Sequence, residues 1–398
     1  MIARPGTLRL TVLLALLTSM GPLSTDMYLP SLPDISQQLG TSDANTQLTL
    51  SVFLFGFAAG MLVYGPLADR LGRKPVLLSG LGLFVIATLV CTFSPSIEFL
   101  IAGRFVQAVG AAGPVVLARA IVRDLYRGAE AGRMLSHMGA IMGVVPAIAP
   151  VLGGMLHEAF GWRINFALTA LLALALLWLG KRALPETLKA GRRKPPGPAE
   201  IVRSYGRLLN NRVFAFYVGG ASLAFAGLFA FISGSSFVFQ DVYGLSPRLY
   251  GLSFAFMVAG YIAGTLVGAR LTMRLGLDRV IDRGALLLLV GGLAMTYMVA
   301  ASIAGAWNII LPMAVYSAGV GMVLPQCMAG ALTPFPEKAG TASSLLGFLQ
   351  TLSGAGAGIV AGHNLANGAW GLAVFIALLG SAAFLLVAGR RLLSGVRA

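Results

Sequence analysis

Of the 398 residues, 57% are hydrophobic and only 11% are charged, a balance that excludes an ordinary water-soluble globular domain. The formal charge of +15, from 29 Lys and Arg against 14 Asp and Glu, would suit a nucleic-acid binder if the cations formed a stripe on a soluble surface. They fall instead in the short gaps between apolar runs, so the basicity reports topology and the chain reads as an all-α polytopic membrane protein.

A span of about 20 apolar residues crosses ~30 Å of hydrocarbon as a helix. Six such spans are expected in the first half, at 8–28, 46–68, 76–94, 99–122, 133–156 and 163–183. Six more follow at 213–237, 249–271, 280–303, 307–329, 339–361 and 368–390. Placing both termini in the cytoplasm leaves only Arg104, Arg163 and Arg248 of the 29 basic residues away from cytoplasmic ends. Arg4 and Arg9 before the first apolar run resemble a secretory leader, but no small-residue cleavage pattern closes the run, so an uncleaved first helix is expected.

Between the second and third spans, Gly65-Pro66-Leu67-Ala68-Asp69-Arg70-Leu71-Gly72-Arg73-Lys74 reads as a charged hairpin whose glycines let two helix ends approach. Asp69 among Arg70, Arg73 and Lys74 suits a breakable latch, with Arg123 and Asp124 at the end of the fourth span as partners and a helix N-terminus of the other half as a further contact. Such a gate points to a secondary transporter. The stretch Ala269 to Gly276 repeats the Leu, Arg and Gly spacing after the eighth span but carries Met273 in place of Asp69. A duplicated chain is expected, with a bundle at 1–184, a basic cytoplasmic linker at 185–211 and a second bundle at 212–398. Within the linker, Ile201, Val202, Tyr205, Leu208 and Leu209 alternate with Arg203 and Arg207 at helical spacing, which predicts a short interfacial helix.

Asp26, near the end of the first span, lies roughly 25 Å beyond Arg9, and Arg104 lies ~9 Å into the fourth span from its opposite end, so the two are expected to share a depth. A lone charge there costs at least ~2 kcal/mol, which requires pairing or an aqueous cavity. Arg104, Gln107, Ala111 and Pro114 fall on one helical face and read as a cavity wall. Among the aromatics of the seventh and eighth spans, Phe229 and Phe231 are candidate substrate contacts, as are Tyr28 beside Asp26 and the intramembrane amides Gln326 and Gln350. On the fifth span Gly143, Pro146, Pro150, Gly153 and Gly154 suit a kinked, tightly packed hinge. Cys91 and Cys327 lie far apart without CxxC spacing, and His137, His157 and His363 are scattered, so neither a disulfide framework nor a metal site is expected.

The hairpin from Gly65 to Lys74 resembles the loop signature of the major facilitator superfamily. Arg104 to Ala112 is similar to the RxxQGxGAA signature of its drug:proton antiporters, with Ala108 in place of a Gly, and Gly143 to Gly154 is similar to their motif ending GPxxGG, with Ala149 in place of a Gly. Ser24-Thr25-Asp26-Met27-Tyr28-Leu29-Pro30 resembles the bicyclomycin and chloramphenicol resistance branch, some of whose members carry a second acid where this chain has Thr18. The resemblance implies twelve helices in two pseudo-symmetric bundles, an inner-membrane location and export of small amphiphilic drugs against an inward proton flux. In that reading Asp26 and Arg104 couple the proton and also meet the drug. The proton is the coupling ion, no cofactor is needed, and the protein acts as a monomer in the lipid bilayer without nucleic acid. The alternative is a proton-coupled transporter of one specific metabolite. An integral-membrane enzyme is disfavoured because no clustered nucleophile, metal set or acid pair is present.

Overall fold

The computed structural model describes residues 8–126, 128–188, 198–335 and 339–394. The basic run of the linker at 189–194 falls outside the described residues, as do Arg4, Arg127, Lys338 and Arg397. Among those described there is no strand. The chain divides into two compact units, Met1–Pro196 and Gly197–Ala398.

In the first unit, α1 (Leu8–Asp26) passes through a 3-10 turn and the short α2 (Leu32–Gln38) into α3 (Asp43–Leu71), followed by α4 (Arg73–Thr92), α5 (Ile97–Leu125), α6 (Gly128–Phe160) and α7 (Arg163–Ala183). The second opens with the short α8 (Pro198–Leu209), then α9 (Arg212–Phe237), α10 (Pro247–Leu275), α11 (Leu277–Ala300), α12 (Trp307–Leu332), α13 (Ala339–His363) and α14 (Gly368–Ser394). Among the described residues each unit holds six helices of 19 residues or more, and the apolar stretch Gly340–Arg390 takes in most of both α13 and α14. Several bear large apolar side chains on their outer faces, among them Ile86, Leu171 and Leu385, as a lipid-facing surface requires.

Polar side chains fix where the helices start. Ser42 accepts from Asn45 N–H at the head of α3, Asn211 from Val213 and Phe214 N–H at α9, and Ser246 from Leu249 N–H just before Pro247 opens α10. In a membrane interior helices gain little from burying apolar area and associate by close packing, which needs small residues at the contact. A Cβ on Gly56 or Gly60 of α3 would sit 2.5 Å from the Phe105 carbonyl or 2.6 Å from the Ala112 Cβ of α5. The same packing recurs in the second unit, where Gly260 and Gly264 of α10 abut the Ala314 and Ala318 carbonyls of α12. The repeat suggested by two short loop sequences therefore extends to the way the helices touch.

Helix α8 stands where a short helix was expected in the linker. Tyr205 and Leu208 pack against a core of Phe214, Val218, Leu345 and Leu346, while Arg203 and Arg207 are exposed. The second half of the linker is thereby part of the second unit.

The hairpin expected from Gly65 to Lys74 is not a loop. The stretch Gly65 to Leu71 is the last part of α3, with Pro66 inside the helix, and the connection to α4 is the single residue Gly72 at φ 101°. A residue with a Cβ is strained at that angle, and a Cβ there would also lie 2.7 Å from the Glu186 carboxylate. Gly65, by contrast, meets nothing within 4 Å, so close approach of the two helix ends rests on Gly72 alone. Gly276, at φ 80°, makes the equivalent single-residue connection between α10 and α11.

Candidate functional site: a buried acid and a caged arginine in the first unit

Asp26 is the final residue of α1 and is buried, with 7% of its surface exposed. It accepts a hydrogen bond from Thr25 Oγ1 at 3.1 Å. Arg104, on α5, is completely buried. Its Nη1 donates to the Ser24 carbonyl at 2.9 Å and to Gln107 Oε1 at 2.6 Å. Pairing was one of the two ways to hold these charges, and among the described residues no salt bridge joins Asp26 and Arg104. The guanidinium instead lies 4.2 Å from the Phe53 ring centre, 4.5 Å from Tyr28 and 5.8 Å from Phe166. Aromatic faces carry a negative quadrupole that takes part of the role of an acid in a dry site.

The stripe Arg104, Gln107, Ala111 and Pro114 is a buried seam and not an open wall, which corrects the cavity reading. Gln107 uses both ends of its amide within the unit, accepting from Arg104 and donating to Thr88 Oγ1 of α4 at 2.8 Å. Tyr28 is also fully engaged, with its hydroxyl 2.5 Å from Thr49 Oγ1 and its ring 5.3 Å from Phe166.

Helix α6 runs unbroken through Pro146 and Pro150. Gly153, on that helix, packs so closely on the Met27 carbonyl, next to Asp26, that no Cβ fits between them. Asn165 of α7 reinforces the contact by donating to the Gly153 carbonyl at 3.3 Å and to Ser31 Oγ at 3.1 Å. Gly154 is buried, whereas Gly143 meets nothing within 4 Å. The glycine and proline motif thus touches the segment that carries the acid at Gly153.

The latch residues gather at the junction of α3, α4 and α5. Arg73 pairs with Asp69 at 2.7 Å and with Asp124 at 3.2 Å, and Thr187 Oγ1 donates to the same Asp124 oxygen at 3.0 Å. Glu186, just beyond α7, accepts from the backbone N–H of Arg73 at 3.0 Å and of Lys74 at 3.1 Å and so caps α4. Burial pushes its carboxyl up, but the N–H groups of Leu188, Arg73, Lys74 and Thr187 outweigh that and hold it below its ordinary value. Glu186 and Thr187 were invisible in the sequence because the α4 terminus lies far from them along the chain. Arg70 and Arg123 are exposed beside this cluster.

In the second unit Phe231 packs against Phe239 and Phe254 within an aromatic cluster, and Phe229 stacks on Phe225 at 6.1 Å. Gln326 is buried on α12 and Gln350 half-buried on α13. Met273 stands where the first unit has Asp69, and the charges nearby lie on α11 and α14. Asp278 and Asp282 of α11 both bind Arg390 of α14, Tyr217 donates to Asp278 at 2.9 Å, and Arg390 lies 4.9 Å from the Phe216 ring.

The Major Facilitator Superfamily model matches residues 14–358, most of the chain. The chain belongs to the major facilitator superfamily. Superfamily relatives include the bicyclomycin resistance protein homolog of Haemophilus influenzae, 31% identical over 86% of both chains. Multidrug resistance protein D of Escherichia coli K12 is 30% identical over 90% of this chain and 89% of its own. Among solved structures, a D-xylose-proton symporter at 17% identity shares the fold, with a TM-score of 0.76 over 96% of this chain and 95% of its own. As a superfamily member the chain is a multi-pass membrane transporter and not an enzyme, with the twelve-helix, two-bundle fold of its relatives.

Proposed function

We propose that this protein is a proton-driven exporter of small amphiphilic compounds, working by alternating access in a bacterial inner membrane with both termini in the cytoplasm. Asp26 carries the proton, and Arg104 tunes when it is held. The observation that carries the reading is Asp26 itself, a carboxyl buried at the end of a membrane helix with one hydroxyl as its hydrogen-bond donor. An acid so placed is costly when ionised and has a use when it cycles between charge states. Relatives named for bicyclomycin and multidrug resistance support the direction and the class of cargo.

Drug and proton compete in this scheme. An incoming drug stabilises the deprotonated state, the proton leaves Asp26, and the reverse exchange on the other side completes the cycle. The cluster of Asp69, Arg73, Asp124, Glu186 and Thr187 gates the change, and Gly153 on Met27 transmits movement of α6 to the Asp26 segment. In the second unit Phe229, Phe231, Gln326 and Gln350 are the candidate contacts for the cargo. The test is proton movement in proteoliposomes carrying a pH-sensitive dye. Adding chloramphenicol or bicyclomycin to wild type should drive protons in the direction opposite to the drug, and no drug-linked proton movement would reject antiport.

A further inference from the structure

Arg104 poses a problem that its hydrogen bonds do not solve. It is wholly buried, yet Nε and Nη2 have no hydrogen-bond partner. The titratable groups that face it are the Tyr28 hydroxyl and the Cys91 thiol, both neutral in their ordinary forms. A buried cation without an acid is held only where something else offers negative potential, and here three aromatic rings do so.

The rings come from separate elements and are themselves fixed. Phe53 stands on α3 one turn beyond Thr49, which binds the Tyr28 hydroxyl. Phe166 on α7 is braced by the Trp162 ring at 6.0 Å in an edge contact. The guanidinium therefore sits in a built box beside the last turn of α1, whose final residue is Asp26.

We propose that Phe53, with Tyr28 and Phe166, forms a cage that parks the Arg104 guanidinium away from Asp26, so that Asp26 can hold its proton as a neutral acid. When the Asp26 O–H bond breaks and the proton passes to water, the unpartnered Nε and Nη2 of Arg104 take the new carboxylate. Reprotonation of Asp26 sends the guanidinium back to the rings. Phe53 is a positioning residue in this cycle, acting on the proton through Arg104. The inference rests on Asp26 as the proton carrier and adds what decides between its two states.

The test needs no substrate. Protein in lipid nanodiscs is titrated while the protonated-carboxyl band of Asp26 is followed by difference infrared spectroscopy, the band being assigned by its absence in Asp26→Asn. In Phe53→Leu the freed arginine stabilises the carboxylate, so the band should vanish at a pH at least one unit below wild type, a tenfold change in proton concentration. Phe53→Trp, which restores a π face, should return the profile toward wild type, and Phe166→Leu should give a smaller shift in the same direction. Phe166→Leu also carries the test if Phe53→Leu does not fold. Identical profiles in wild type and in the folded leucine variants would overturn the cage while leaving Asp26 as the carrier. A wild-type band that never titrates would overturn the carrier reading and the cage together.

Discussion

Arg104 reaches the last turn of α1 without pairing with Asp26: its Nη1 bonds to the Ser24 carbonyl at 2.9 Å, while Asp26 accepts from Thr25 at 3.1 Å. Leaving one partner of a standing buried ion pair uncompensated costs about 3–5 kcal/mol, so such a pair would resist a change of state. Kept apart, each can answer to a proton or a ligand at modest cost, which suits a carrier that must change state in every cycle.

The contact between Gly153 and the Met27 carbonyl sets an asymmetry within the glycine and proline motif. Gly153→Ala should lower stability by about 1–3 kcal/mol, because the backbone it strikes cannot move aside as a side chain tip would. Gly143→Ala, with open space around it, should be neutral or stabilise by up to about 1 kcal/mol through helix propensity. Thermal unfolding of both variants in the same detergent decides the matter, and equal melting points would remove the special role of Gly153.

At the latch, Asp69 is 40% exposed on its side chain and Asp124 only 15%. Asp69→Asn should therefore cost well under 1 kcal/mol of stability yet slow transport severalfold while leaving drug binding intact. Asp124→Asn, which replaces the charged oxygen shared by Arg73 and Thr187 with a neutral amide at a less exposed position, should lower the melting point more. Loss of binding and transport in equal measure in Asp69→Asn would count against a gating role.

Glu186 gives the latch a dependence on acid. Its folded carboxyl titrates below the ordinary value of 4.5, so its contribution is complete above that pH and fades as pH falls through the lower folded value. Wild type should melt higher than Glu186→Gln at neutral pH, and the gap should close on acidification below about 4.5. A gap that widens in acid would show that the cap is not an ionised carboxylate.

The second unit offers a cleaner electrostatic test. Asp278→Asn should destabilise by no more than about 1 kcal/mol, since the Asp278 side chain is 56% exposed. Combining Asp278→Asn with Arg390→Gln should cost less than the sum of the two single changes. Strict additivity in a double-mutant cycle of melting curves would mean that the pair carries no coupling.

Much of this architecture is legible in the sequence because the bilayer allows few solutions. The apolar runs fix the helices to within a few residues, and the spacing of Tyr205 and Leu208 against Arg203 and Arg207 is enough to find α8. The Gly65 stretch stays helical since Gly and Pro, which end helices in water, are tolerated inside membrane helices. The environment of Arg104 was missed for another reason. Sequence reasoning pairs charges with charges, and rings such as Phe53 and Phe166, on other helices, look like any lipid-facing aromatic. Glu186 and Arg390 likewise act on helix ends remote in the chain, so no local pattern marks them.

Proton coupling through Asp26 is tested most directly by drug efflux from cells with and without a proton gradient, comparing wild type with Asp26→Asn at equal membrane levels. Gradient-driven efflux should be present in wild type, vanish when the gradient is collapsed, and be absent from Asp26→Asn. Efflux that survives collapse of the gradient, or that runs at the wild-type rate in Asp26→Asn, would contradict the account.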